Sequence, residues 1–288
     1  MNLPKNIKIN NFDRYKYLET LKLIKKYSLN TVCLEANCPN RYYCFSSGTA
    51  TFMILGKFCT RSCRYCNIEN KKPQKIDCDE PKRISLAIEK LNLNYVVITS
   101  VTRDDLDDKG VGHFIAVIKA IRERNKNCKI EVLIPDFKDN ECALKKLSKV
   151  FPEVINHNIE TVEELFGDLR PQGDYNLSLS LLKNIKKENS KIIVKSGLMV
   201  GLGETKEQII KTLKDLSRSD VDILTIGQYL APSDNHAPVI KYYSDKEFLD
   251  LKNIAKDIGF SEVVSGALVR SSYQAKEAYE KLAINKNN

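Results

Sequence analysis

Short apolar runs alternate with amphipathic stretches from Thr49 to Gly259, and this rhythm constrains the fold more than any other feature of the chain. Residues 49–56 (TATFMILG), 94–100 (NYVVITS), 129–135 (KIEVLIP), 153–160 (EVINHNIE), 191–201 (KIIVKSGLMVG) and 222–229 (DILTIGQY) read as buried strands. Residues 81–92, 113–124, 140–150, 178–188 and 206–218 read as helices between them, with Ile84, Ile88 and Leu91 at helical spacing in the first. A last helix over 245–259 stops at Gly259, which suits a left-handed C-cap. Strand-then-helix units in series imply parallel strands with helical crossovers, an α/β fold. Six such units are too few for a closed eight-stranded barrel. A partial (β/α)6 TIM-type barrel is expected over 49–259; a doubly wound sheet also fits. Both arrangements put functional loops at the C-terminal strand ends. Residues 1–48 and 260–288 read as N- and C-terminal extensions covering the open face.

With 288 residues, 42% of them hydrophobic and 29% charged, there is ample material for a large core. The net charge of +9 is spread along the chain. No basic run reads as a nucleic-acid tail, so no nucleic-acid partner is expected. No apolar run approaches the ~18–20 residues that span a bilayer. The opening MNLPKNIKIN lacks the apolar core of a signal peptide. The expected setting is cytoplasmic, with no membrane partner. In a reducing compartment, nine cysteines do not suggest disulfides, and the six clustered between Cys33 and Cys66 are expected to serve as metal ligands or catalytic groups. Cys78, Cys128 and Cys142 are scattered and read as small apolar residues.

The other six cysteines form two sets. Cys59-Thr-Arg-Ser-Cys63-Arg-Tyr-Cys66 follows the first expected strand. A [4Fe–4S] cluster takes four ligands, and this loop offers three thiolates. One iron is then left open, and an open position on a metal is where a substrate binds. Upstream, Cys33, Cys38 and Cys44 offer three more, and a second [4Fe–4S] cluster is the natural reading. A structural zinc site drawing on both sets, or a loop of plain thiols, are the alternatives.

The spacing of Cys59, Cys63 and Cys66, with Tyr65 directly before the last, resembles the radical SAM superfamily. The stretch TVCLEANCPNRYYCFSSGTATFMILGKFCTRSCRYC (31–66) resembles the lipoyl synthases. The likeness continues through TSVTRDDL (99–106), HNIET (157–161), LRP (169–171), MVGLGE (199–204), DILTIGQYLAPSDNHAPV (222–239) and RSSY (270–273).

The resemblance implies a radical SAM sulfurtransferase. It would insert two sulfur atoms, at C6 and C8 of a protein-bound N6-octanoyl-lysine. Cys59, Cys63 and Cys66 would hold a [4Fe–4S] cluster whose fourth iron takes S-adenosylmethionine. Electron transfer to that molecule yields the radical that abstracts hydrogen. Cys33, Cys38 and Cys44 would hold an auxiliary [4Fe–4S] cluster, the sulfur donor, with Ser272 as its fourth ligand and Ser271 the second choice. A serine oxygen is a hard ligand for iron better matched to thiolate, so that iron is easier to release.

Ser100, Arg103 and Asp104 after the second expected strand, Asn158 and Glu160 on the fourth and Lys195 on the fifth are candidate contacts for S-adenosylmethionine. Each also reads as a surface ion pair or helix cap. Gly201 and Gly203 read as backbone for the adenine side or as a plain turn. His157 and His236 read as pocket or structural residues. The implied partners are an octanoylated lipoyl carrier domain or glycine-cleavage H-type protein, an electron donor such as ferredoxin or flavodoxin, and an iron–sulfur cluster carrier. Thr102, Leu34 and Phe45 depart from the family's usual Asp, Glu and Trp, and none is an expected ligand. The competing functions are another radical SAM sulfur-inserting or methylthiolating enzyme, an electron-transfer iron–sulfur protein and a zinc-stabilised binding module.

Overall fold

The computed structural model describes residues 11–47, 49–138, 140 and 142–287, with side chains up to residue 283; MNLPKNIKIN lies outside the described residues. The chain divides into two compact units, one of residues 11–61 and 67–153, the other of 62–66 and 154 onward.

In the first unit the elements are α1 (Arg14–Lys26), β1 (Asn30–Thr31), α2 (Val32–Glu35), α3 (Arg41–Ser46), β2 (Thr51–Ile54), α4 (Glu80–Lys90), β3 (Tyr95–Ser100), α5 (Val111–Arg124), β4 (Lys129–Leu133) and α6 (Cys142–Ser148). β1 runs antiparallel to β2, with Asn30 opposite Met53. β2, β3 and β4 are parallel, with Thr51 opposite Val97 and Tyr95 opposite Lys129. All of β2 and residues 95–99 of β3 are buried, which explains their unbroken apolar runs: parallel strands are covered on both faces. Pro81 lies in the first turn of α4, where its missing N–H costs nothing.

In the second unit the elements are β5 (Val154–Asn156), α7 (Glu163–Leu169), α8 (Tyr175–Glu188), β6 (Ile193–Val200), α9 (Lys206–Ser217), β7 (Ile223–Gln228), α10 (Asp245–Ile258), β8 (Glu262–Gly266) and α11 (Ala275–Asn287). β5 through β8 are parallel and in chain order. Capping boxes start α9 at Thr205 and α10 at Ser244. Gly259 ends α10 at φ 116°, the left-handed cap its position predicts.

The parallel α/β class is as expected. Two strands more than expected appear: the two-residue β1 within the N-terminal extension, and β8, whose apolar run is only Val263-Val264 and whose other residues are half-buried. The fourth expected strand is shorter than its apolar run: β5 stops at Asn156, and residues 157–161 leave it as a loop. Within the C-terminal extension, Ala278 and Leu282 of α11 pack on Val154, Ile193 and Ile223, the first residues of β5, β6 and β7. The helix thus lies at the N-terminal strand ends, opposite those that carry the functional loops. Cys128 is buried as expected, but Cys78 and Cys142 are exposed, Cys78 between two aspartates. No described helix is long and apolar enough to cross a membrane.

Candidate active site

The first cysteine loop leaves β2 through Leu55, which sits at φ 68°. A leucine there is strained and needs support on both sides. Its N–H donates to Glu80 (3.0 Å), and its carbonyl accepts from Arg103 (3.2 Å). Beyond it, the Cys59 N–H donates to the Glu69 carbonyl (2.9 Å). The Thr60 N–H and hydroxyl both donate to the Thr102 carbonyl (3.1 and 3.0 Å). Arg61 turns inward and is buried. Its Nη1 and Nη2 donate to Asp136 (2.6 and 2.7 Å), and Nε and Nη2 donate to Asp104 (2.8 and 2.9 Å). Burial alone would lower its pKa, but the two carboxylates outweigh this and hold it above its ordinary value. The Arg61 backbone N–H points at Cys59 Sγ (3.4 Å).

The rest of the loop belongs to the second unit. Gln172 both donates to the Ser62 hydroxyl (3.1 Å) and accepts from its N–H (3.4 Å). The Arg64 N–H donates to the Leu169 carbonyl, and its carbonyl accepts from the Ala237 N–H, each at 2.9 Å. Arg64 also pairs with Asp168. His236 bonds the Cys66 carbonyl through Nε2 (3.1 Å) and Ser233 through Nδ1 (2.8 Å). It therefore supports the cysteine loop, whereas His157 is buried against the Ser178 hydroxyl (3.1 Å) as a structural residue. Tyr65 packs on Leu169, Leu202, Tyr229 and Ala237; burial, and then the nearby Glu160 charge, push its phenol well above the usual range.

The second cysteine set lies wholly in the first unit. Thr31 caps α2 by accepting from the Leu34 N–H (3.3 Å), which fixes Cys33 in the first turn. Burial, and then Cys38, push the Cys33 thiol up to about 12. Such a thiol gives up its proton only when a cation takes its place. The Cys38 N–H donates to the Cys33 carbonyl (3.1 Å), and Cys44 sits on α3. α1 holds α3 in place through the Thr20 hydroxyl, which donates to the Phe45 carbonyl (2.8 Å). Asn67, next after Cys66, donates to the Glu35 carbonyl of α2 (2.7 Å). A cleft of about 220 Å³ here is lined by Glu35, Lys57, Phe58, Asn67, Ile68 and Glu69.

Among the described residues, no three Cys, His, Asp or Glu side chains are gathered into a metal-binding group. The donor chemistry nevertheless fits iron–sulfur clusters. Three soft thiolate donors sit on each short segment, and a backbone N–H faces one of the sulfurs.

The strand ends separate the six candidate contacts. Ser100 ends β3 with its hydroxyl buried and without a hydrogen-bond partner. Asn158 donates to Glu160 (3.1 Å) while its Oδ1 is buried and unsatisfied. Buried polar atoms of this kind call for a polar partner, an ordered water or a ligand. A Cβ on Gly197 would lie 2.8 Å from that oxygen, so only glycine lets β6 approach it. Glu160 is held at φ 69° by its backbone bonds to Gly197 and Met199. Burial raises its carboxyl pKa, against the opposing pull of Arg170 and Asn158. Lys195 is fully buried on β6. Arg103 is engaged elsewhere, forked onto Asp105 at 2.8 Å and onto Leu55, and Asp104 is taken up by Arg61 and Thr60. These two are the ion pairs that the sequence also allowed. Gly201 makes a turn: its N–H and that of Leu202 donate to Glu204 (2.6 and 2.9 Å).

Ser271 and Ser272 lie half-buried in the turn between β8 and α11. A Cβ on Gly227 of β7 would fall 2.2 Å from the Val269 carbonyl oxygen, so this glycine admits the turn against the strand end. Arg61, Asp136, Arg170 and Gln172 were not singled out from the sequence. Only the place of Arg61 inside the cysteine motif signalled it; the partners are far apart in the chain.

Residues 53–216 match the family model of the radical SAM superfamily. The chain is 53% identical over 259 residues to a lipoyl synthase of Caldicellulosiruptor saccharolyticus, covering 90% of this chain and 91% of the relative. It is 53% identical to one of Alkaliphilus metalliredigens, with 90% and 89% covered. Among solved structures it resembles methylornithine synthase at a TM-score of 0.54 and 15% identity, with 96% and 94% covered. It also resembles a maturase of the [FeFe]-hydrogenase at 0.57 and 16%, with 92% and 72% covered. At that identity the likeness is one of fold. Sequence identity of this extent over nine-tenths of its length means that the chain belongs to the lipoyl synthase family of radical SAM enzymes.

Proposed function

We propose that this enzyme inserts sulfur at C6 and C8 of an octanoyl-lysine on a carrier domain, using two [4Fe–4S] clusters held at separate cysteine sets. Its family membership sets aside the electron-transfer and zinc-module alternatives. Cys59, Cys63 and Cys66 would hold the cluster that binds S-adenosylmethionine. Cys33, Cys38 and Cys44, with Ser272, would hold the auxiliary one. Bound together, the first cluster and S-adenosylmethionine supply the reducing power and the radical that an unactivated C–H bond requires.

The chain's own part is to position and to exclude water. Ser100 and Asn158 offer buried, unsatisfied oxygens to the amino and hydroxyl groups of S-adenosylmethionine. Glu160 supplies a carboxylate whose burial cost a ligand's ammonium would offset. Lys195 is the candidate for the ligand carboxylate. Arg103 and Asp104 serve the loop instead of the ligand. The partners proposed are a lipoyl carrier domain or H-type protein, a small electron donor and a cluster carrier for rebuilding.

The likeness to lipoyl synthases over nine-tenths of the chain carries this reading. Anaerobic reconstitution tests it. About eight irons per chain are expected in the wild type and about four after alanine replaces Cys33, Cys38 and Cys44. Equal iron in both proteins refutes the auxiliary site.

A further inference from the structure

Arg61 is a cation inside the cysteine loop, two residues from Cys59, with both ends of its guanidinium buried against carboxylates. Asp136 takes the two Nη atoms, and Asp104 takes Nε and Nη2. Both carboxylates are themselves anchored. The Lys138 N–H donates to Asp136 (3.2 Å), and the Thr60 hydroxyl donates to Asp104 (3.2 Å). The Asp104 N–H returns a bond to the Thr60 hydroxyl (3.1 Å). The backbone of Thr60 and Arg61 is thus pinned to the loops that follow β3 and β4. The outcome at the sulfur is specific, since the Arg61 N–H stands 3.4 Å from Cys59 Sγ.

We propose that Arg61 is a positioning residue of the cluster loop: clamped between Asp104 and Asp136, it fixes the Cys59 sulfur and its N–H donor before iron arrives. The inference rests on the reading that Cys59, Cys63 and Cys66 hold a cluster. The fork geometry is what the task needs. A planar guanidinium grips two carboxylates at once and cannot rotate between them, whereas an ammonium satisfies one and swivels. A preformed N–H at the sulfur leaves less of the site to be ordered when the metal binds.

The test uses the reconstituted full-length protein, as wild type, Arg61→Lys and Asp104→Asn. Two quantities are followed: the thermal midpoint of the apo chain, and the decay of the S-adenosylmethionine-responsive signal of the reduced cluster under chelator challenge. Asp104 is one-third exposed, so its variant keeps the fold if Arg61→Lys does not. The expected result is a decay about tenfold faster in each folded variant, with the apo midpoint of Asp104→Asn close to wild type and that of Arg61→Lys lowered by the loss of one buried carboxylate contact. Decay at the wild-type rate in every folded variant overturns the proposal. So does faster decay that only follows a lowered apo midpoint, which marks a plain structural role. A wild type that shows no such signal defeats the cluster reading itself, and the two failures are thereby told apart.

Discussion

At Glu160 a cost in stability stands beside the ligand contact proposed for it. Its carboxyl is buried and its pKa raised, so the folded state favours the protonated form. A group raised in this way contributes stability below its unfolded pKa of about 4.3, and the contribution is lost as pH rises through the folded value. Glu160→Gln should therefore match the wild-type melting temperature near pH 4 and exceed it at pH 8 in the apo protein, while binding S-adenosylmethionine more weakly. A melting difference that does not grow with pH refutes the account. At Asp136 the sign reverses. Asp136→Ala strands the buried Arg61 charge with one partner, and a loss of about 3–5 kcal/mol is expected in urea denaturation. Ser272→Ala should abolish lipoyl product while 5′-deoxyadenosine is still released on reduction; normal product in that variant removes Ser272 from the site.

The elements carry a different lesson. β5 is three residues long although its sequence reads as eight, because the chain bends away after Asn156 to bring Asn158 and Glu160 to the strand end. Apolar periodicity reports burial, and His157, Ile159 and Thr161 are buried without being in a strand. β8 was missed for the opposite reason, since most of its side chains are only half-buried. It matters nonetheless, because it leads the chain into the turn that carries Ser271 and Ser272. Gly227→Ala puts a Cβ within 2.2 Å of the Val269 oxygen and must push that turn off β7. The expected phenotype is loss of sulfur insertion with S-adenosylmethionine cleavage retained, read as product mass against 5′-deoxyadenosine. Equal loss of both would place the damage in the sheet instead.

For the molecule as a whole, the net charge of +9 fits an acidic carrier domain. Turnover of such a carrier at low concentration should fall as ionic strength rises from about 0.05 to 0.5 M, while turnover of a short neutral octanoyl-lysine peptide should not. A matching decline for both substrates would leave the charge without that role.

The two three-cysteine sets, the parallel α/β order, the Gly259 cap and the family itself were all legible in the sequence. Each depends on residues near one another in the chain or on a periodicity that burial imposes directly. Which polar residues find partners within the chain, and which keep a buried oxygen without one, was decided only by the tertiary structure. Arg103, Asp104, Asn158 and Glu160 look alike as a string of letters. Folding gives Arg103 and Asp104 partners from distant or neighbouring loops, and leaves buried oxygens unsatisfied at Ser100 and Asn158. Whether a charge finds its counter-charge inside the chain depends on which loops the sheet brings to the same end, and no local pattern encodes that.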